Sequence, residues 1–129
     1  MLKIFYGPNL FAKRVELEQL KSDVRKSYGD FAVREFSSED LNPSEFASEL
    51  ISTGLFATNE LLIVRSAEDN LELIEVCLKS AEDSHKDVIL LINALDKRTI
   101  YYKDVSKSSG FKDFPQLPAP KLSNWISEA

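Results

Sequence analysis

The chain has one cysteine and one histidine among its 129 residues. With Cys77 alone, an internal disulfide and a thiolate metal cluster are excluded, and so sparing a use of cysteine fits a reducing compartment. With His85 alone, multi-histidine metal sites and most histidine relays are excluded. Basic residues are outnumbered, 16 against 21 acidic, for a net charge of -5. That excludes a broadly basic surface and, with it, tight electrostatic binding of DNA by this chain alone; only local basic spots could touch nucleic acid. No apolar run approaches the ~18 residues that a membrane span needs. The opening Met1-Leu2-Lys3-Ile4-Phe5-Tyr6 has no basic leader and is broken early by Gly7-Pro8, unlike a signal peptide. The expectation is a native start and a cytoplasmic protein with no membrane attachment. What is present is core material: 43% hydrophobic and 29% charged residues, the balance of one globular domain.

Leu2 to Tyr6 reads as a buried strand with a sharp exit at Gly7-Pro8. Asn9 caps the helix that follows, on which Leu10, Leu17, Leu20, Val24 and Tyr28 recur at helical spacing, flanked by Phe11 and Val15. Lys21, Arg25 and Lys26 suit the negative end of its dipole, and Gly29 closes it. Phe31 to Phe36 is a second strand. Asn42-Pro43-Ser44-Glu45 opens a second helix with an apolar face of Phe46, Leu50 and Ile51, stopped by Gly54. Glu60 to Val64 is a third strand, whose unbroken apolar run implies burial on both faces, as in a parallel sheet. Leu71, Ile74, Leu78 and Ala81 mark a third helix, and Val88 to Ile92 a fourth strand. Asp96 caps a short helix carrying Ile100, Tyr101 and Val105, and Gly110 to Phe114 is a short fifth strand. The alternation predicts an α/β domain with a mostly parallel sheet and right-handed crossovers. Pro115-Gln116-Leu117-Pro118-Ala119-Pro120 reads as an extended linker. Leu122, Trp125 and Ile126 then begin an amphipathic pattern, which suggests a fragment cut at a domain boundary.

An α/β protein usually holds phosphate at its first strand–helix turn. Here Gly7 and Lys13 match two positions of a P-loop. Ala12 replaces its second glycine, Arg14 replaces the magnesium-holding hydroxyl residue, and Pro8 has no N–H to offer. The third strand runs into Arg65-Ser66, where a magnesium-binding Asp would stand. The same cation excludes a phosphoacceptor receiver domain. Asn93 ends the fourth strand where AAA+ ATPases carry a polar sensor, but it reads first as a turn asparagine. Asp96-Lys97-Arg98 reads as a helix cap with two solvated cations. Cys77 reads as packing, His85 as part of a polar surface loop, and Glu68-Asp69 lacks a base or metal partner. No catalytic constellation, cofactor site or metal site emerges. Leu55-Phe56 follows Gly54 and has two readings: packing back on the last helical turn, or an exposed hydrophobic plug.

Four stretches resemble the N-terminal domain of the delta-subunit family of bacterial DNA polymerase III clamp loaders. Leu2 to Gly7 looks like the family's opening strand and turn. Ser52-Thr53-Gly54-Leu55-Phe56-Ala57-Thr58, with the strand Leu61 to Arg65, looks like its clamp-binding motif and next strand. Val88 to Leu95 followed by Asp96-Lys97-Arg98 looks like its fourth strand and exit, and Trp125-Ile126 like the start of the segment leading to its lid domain. Order and spacing carry the resemblance over the whole chain. Pro8-Asn9 departs from the acidic residues common after the glycine, and Gly54 from the usual Ser or Pro.

The resemblance implies a three-layer RecA-like AAA+ core with a five-stranded parallel sheet over residues 1–114. Residues 115–129 would be a linker and the start of a helix towards a lid domain. It implies a non-ATPase subunit with no catalysis of its own, no cofactor and no metal. Gly54, Leu55, Phe56 and Ala57 would bind the ring-shaped sliding clamp, the beta subunit, with Leu55 and Phe56 entering a hydrophobic pocket. The chain would help open the ring for loading onto primed DNA during replication. Other clamp-loader subunits would be partners, DNA would be met through the assembled complex, and the isolated domain would be monomeric. The residues alone leave two alternatives: a small P-loop-like nucleotide-dependent enzyme with a degenerate motif, and a generic α/β interaction module.

Overall fold

The computed structural model describes residues 2–51, 60–80 and 86–115. Strands β1 (Leu2–Tyr6), β2 (Val33–Ser37), β3 (Leu61–Arg65), β4 (Asp87–Ile92) and β5 (Phe111–Asp113) form one sheet in the order β2-β3-β4-β1-β5. Every pairing is parallel. Leu61 to Val64 are all buried, so the apolar run of β3 does lie between two covered faces. Helices α1 (Leu10–Tyr28), α2 (Pro43–Ile51), α3 (Leu71–Ser80) and α4 (Ile100–Lys107) divide unequally between those faces. Ile4, Tyr6, Leu62, Val64, Leu90 and Ile92 point to one side, where Phe46 and Leu50 of α2, Leu73, Ile74 and Cys77 of α3 and Val105 of α4 meet them. Phe5, Ile63 and Ile89 point to the other, against Leu17 of α1 and Phe114. The result is the expected three-layer α/β architecture with a RecA-like strand order.

That order places a site. Strand β1 leaves by α1 on one face, and its neighbour β4 leaves towards α4 on the other. A crevice therefore opens between the C-terminal ends of β1 and β4, the switch point where open α/β sheets hold ligands.

Several local expectations are corrected. The second strand starts at Val33 instead of Phe31, because Gly29 turns the chain at φ 93° and accepts from the Ala32 N–H, closing a 3-10 turn over Asp30–Ala32. On α1 the predicted stripe holds in its middle, where Leu17 is buried and Leu20 and Val24 pack beside it, and fails at its ends: Leu10 is 63% exposed and Tyr28 58%, while Lys13 and Lys21 are buried on either side of Leu17. Lysine stems are apolar enough to cover the sheet if the ammonium finds a partner. Lys21 accordingly serves Glu18 and Glu35 instead of the helix terminus. On α3 the fully buried leucine is Leu73, with Leu71 partly open. The cap of α4 is Thr99, whose hydroxyl accepts from the Tyr102 N–H. Asp96 is engaged by Arg98, accepting from its backbone N–H at 2.9 Å and its guanidinium at 3.2 Å. Asn42 does cap α2, accepting from the Glu45 N–H at 3.1 Å. Among the described residues no helix is long and apolar enough to cross a membrane.

Candidate functional site

The crevice at the C-terminal edge is a cleft of about 510 Å³ between α1 and the ends of β1, β3 and β4. Lys13, Arg14, Lys21, Arg65, Glu68 and Asn93 are among its lining residues. Its floor is the first turn. Gly7 has φ 124°, and a Cβ there would collide with the Phe114 carbonyl oxygen. The glycine therefore lets the exits of β1 and β5 touch. The turn is knitted to its neighbours by backbone bonds: Gly7 N–H to Ile92 O at 3.0 Å, Asn9 N–H to Phe114 O at 3.1 Å, and Phe114 N–H to Tyr6 O at 2.6 Å. Leu10 N–H goes to Pro8 O, Lys13 N–H to Asn9 O, and Ala12 N–H to the Asn9 side chain. A phosphate cradle consists of unspent amides aimed at one point. In this turn five of them are already committed and Pro8 has none.

Lys13 is turned inward. Its Nζ donates to Ile92 O at 3.3 Å and the residue is only 6% exposed. Burial holds its ammonium below the usual lysine pKa, and attraction to Glu68 works the other way. Glu68, in the 3-10 turn Ala67–Asp69 after β3, caps the exit of β4. Its Oε2 accepts from the Asn93 N–H at 2.7 Å and the Ala94 N–H at 3.4 Å. Its Oε1 is buried with no hydrogen-bond partner among the described residues. The cleft thus carries its own fixed anion, held by amides that a ligand anion would have sought. The sequence reading saw no partner for Glu68. The signal that could have found one is the spacing of Lys13, Leu17 and Lys21, one helical turn apart, which turns Lys13 inward. Lys21 behaves oppositely to Lys13: burial opposes its charge, but hydrogen bonds to Glu35 and Glu18 outweigh it and raise the pKa.

Other predicted groups fall outside any chemistry. Arg65 is exposed at the end of β3, as its sequence position implies. Cys77 is buried in the α2–α4 side of the core, and burial alone pushes its thiol up to about 12, so it packs as a small apolar residue. Gly54, Leu55, Phe56 and Ala57, which the resemblance implied would bind a clamp, lie outside the described residues, as do Ala81, His85 and the segment 116–129.

The connection that carries Leu55 and Phe56 is nonetheless bracketed by described structure at the opposite, N-terminal edge of the sheet. Glu49 stands in α2 before it and Glu60 stands directly ahead of β3 after it. Arg34 of β2 reaches both carboxylates, Nη1 lying 2.6 Å from Glu49 Oε1 and 3.4 Å from Glu60 Oε2. Lys86, just ahead of β4, reaches the same two at 3.5 and 3.2 Å and is 5% exposed.

No protein-family model and no curated protein matches the chain. Solved structures do. A Bacillus subtilis DNA clamp loader delta protein superposes with a TM-score of 0.73 at 15% identity, over 98% of this chain and 42% of that one. A DNA polymerase III gamma subunit-related protein from Thermotoga maritima superposes with a TM-score of 0.50 at 12% identity, over 99% of this chain and 45% of that one. The chain spans less than half the length of either. At such identities the likeness is one of fold, and the fold is the three-layer α/β core with a five-stranded parallel sheet that the resemblance in the sequence implied.

Proposed function

We propose that this chain is the clamp-binding domain of a delta-type subunit of the bacterial DNA polymerase III clamp loader. The observation that carries the reading is the agreement in fold with a clamp loader delta protein across 98% of the chain, joined to the motif order read from the sequence. In this reading Leu55 and Phe56, flanked by Gly54 and Ala57, insert into a hydrophobic pocket of the sliding clamp. Opening the ring is then differential binding, the open form being held better than the closed one. ATP acts through sister subunits, and DNA is met by the assembled complex in the cytoplasm. The knitted first turn and the Lys13–Ile92 bond support a non-catalytic role and weigh against the nucleotide-dependent enzyme. The domain ends at residue 114, an edge supported by the burial of Phe114 beside the exposed Pro115.

The test is surface plasmon resonance of the chain against a purified bacterial sliding clamp, with the Leu55→Ala/Phe56→Ala double variant beside it. Burial of each side chain is worth about 1.5–3 kcal/mol. The double change is expected to weaken binding about a hundredfold or more, allowing for non-additivity, with the melting temperature nearly unchanged. Unchanged affinity with a sharply lowered melting temperature would mean that the pair belongs to the core, and the assignment would fall.

A further inference from the structure

We propose that Arg34, Glu49, Glu60 and Lys86 form a positioning device for the clamp-binding turn, tying the two ends of the 52–59 connection to each other and to the sheet. This inference rests on the clamp-binding reading of Leu55 and Phe56. The geometry is specific. Glu49 and Glu60 are eleven positions apart and stand on either side of that connection, yet their carboxylates converge on shared cations. The cations come from both flanks: β2 and β4 are the two neighbours of β3 in the sheet, and Arg34 lies on the first while Lys86 immediately precedes the second. Two carboxylates repel unless cations sit between them. Here each cation bridges both acids, so loss of either acid's charge frees one end of the connection. The Glu60 carbonyl adds a backbone anchor, accepting from the Asp87 N–H at 3.1 Å. Arg34 is itself held, its guanidinium lying 5.0 Å from the centre of the Phe36 ring.

Stability alone is a poor account of this cluster. An ammonium as buried as that of Lys86 costs desolvation that apolar residues of the same volume would not, whereas buried ion pairs serve well to fix register. Fixing the ends of a connection lowers the entropy that a partner must remove on binding, and that raises affinity.

The test uses the full chain and its Glu49→Gln/Glu60→Gln variant, with Arg34→Lys as a second variant. Lysine keeps the charge but is shorter, losing the Nη1 that reaches both carboxylates and the guanidinium plane beside Phe36. Three quantities are measured: the melting temperature, backbone amide exchange residue by residue, and affinity for a purified bacterial sliding clamp. In both variants exchange within residues 52–59 is expected to quicken by about tenfold and clamp affinity to fall by about tenfold, a free-energy change of roughly 1.4 kcal/mol. Exchange in β1 and α1 is expected to quicken only by the small factor that the lowered stability accounts for, well short of tenfold. Unchanged exchange at 52–59 with unchanged affinity overturns the inference, as does a uniform quickening across the whole chain. A wild-type chain that does not bind the clamp overturns the clamp-binding reading itself. Binding that is lost in Leu55→Ala/Phe56→Ala but kept in both charge variants overturns only the positioning role.

Discussion

Gly7 and Gly29 both have positive φ, 124° and 93°, but they meet different surroundings. A methyl group on Gly7 would strike the backbone of Phe114, whereas one on Gly29 would find nothing within 4 Å. Gly29, at φ 93° and ψ 168°, lies in a region essentially reserved for glycine, so Gly29→Ala adds backbone strain alone, about 1–3 kcal/mol. Gly7→Ala adds a backbone collision that the β1–β5 contact cannot relieve without breaking the Phe114–Tyr6 and Asn9–Phe114 bonds. We expect it to cost roughly 3–5 kcal/mol. Urea unfolding of the two variants measures the difference, and equal losses would contradict this account of the first turn. The residue that gives the turn its P-loop-like look is thus spent on packing. Lys13 and Lys21 carry a similar lesson. They lie on the same face of α1 and are equally buried, yet one has its pKa lowered and the other raised. Lys13 meets a neutral carbonyl; Lys21 meets two carboxylates.

Between elements, the Arg34–Glu49–Glu60–Lys86 cluster joins α2 and the lead-ins of β3 and β4 to the edge strand β2. Burial alone would raise the pKa of Glu49, but the hydrogen bond and attraction of Arg34, with Lys86 behind it, outweigh burial and hold it below the usual glutamate range. A carboxylate depressed in the folded state binds fewer protons there than in the unfolded chain. Its contribution is whole above the ordinary glutamate pKa and is lost as pH falls through the depressed folded value. Glu49→Gln should therefore melt lower than wild type at neutral pH, and the two melting curves should converge on acidification. Parallel curves down to about pH 3 would rule out Glu49 as a source of acid sensitivity. Much of this layer was legible in the sequence. The short apolar run of β1 and the unbroken ones of β3 and β4 marked buried strands, and Asn9 and Asn42 marked two helix starts. The α4 cap was misassigned because Arg98 occupies the Asp96 carboxylate, leaving Thr99 to receive the Tyr102 N–H. On the inner face of α1, Leu17, Leu20 and Val24 were legible but Lys13 and Lys21 were not, because periodicity counts lysine as polar while its stem packs as hydrocarbon. The Lys13–Ile92 bond spans 79 residues and the Glu68–Asn93 bond 25. Such pairs exist only once the parallel sheet brings the exits of β1, β3 and β4 together.

Across the whole molecule, the two edges of the sheet have diverged. The C-terminal edge keeps the crevice that the strand order creates, but fills its polar positions from within. At the N-terminal edge four charges, Arg34, Glu49, Glu60 and Lys86, converge from either side of positions 52–59 in the chain. The apolar faces of the sheet are covered by helices on both sides without any contribution from the crevice. This argues a definite outcome for nucleotide. To seat a triphosphate, the crevice would have to release Lys13 from Ile92 O and move the Glu68 carboxylate from the Asn93 and Ala94 amides. It would also have to bring magnesium to a β3 exit that offers Arg65. The first two steps discard bonds already made, and the last places like charges together. Calorimetric titration with Mg-ATP is expected to show no saturable heat up to about 1 mM, the range where binding is worth only about 4 kcal/mol. Glu68→Gln removes the internal charge but leaves the amides of the first turn committed, so it is expected to remain equally silent. Saturable low-micromolar binding by the wild-type chain would overturn the account of the first turn. Binding by Glu68→Gln alone would show that the carboxylate, and not the spent amides, is what keeps the crevice closed to phosphate.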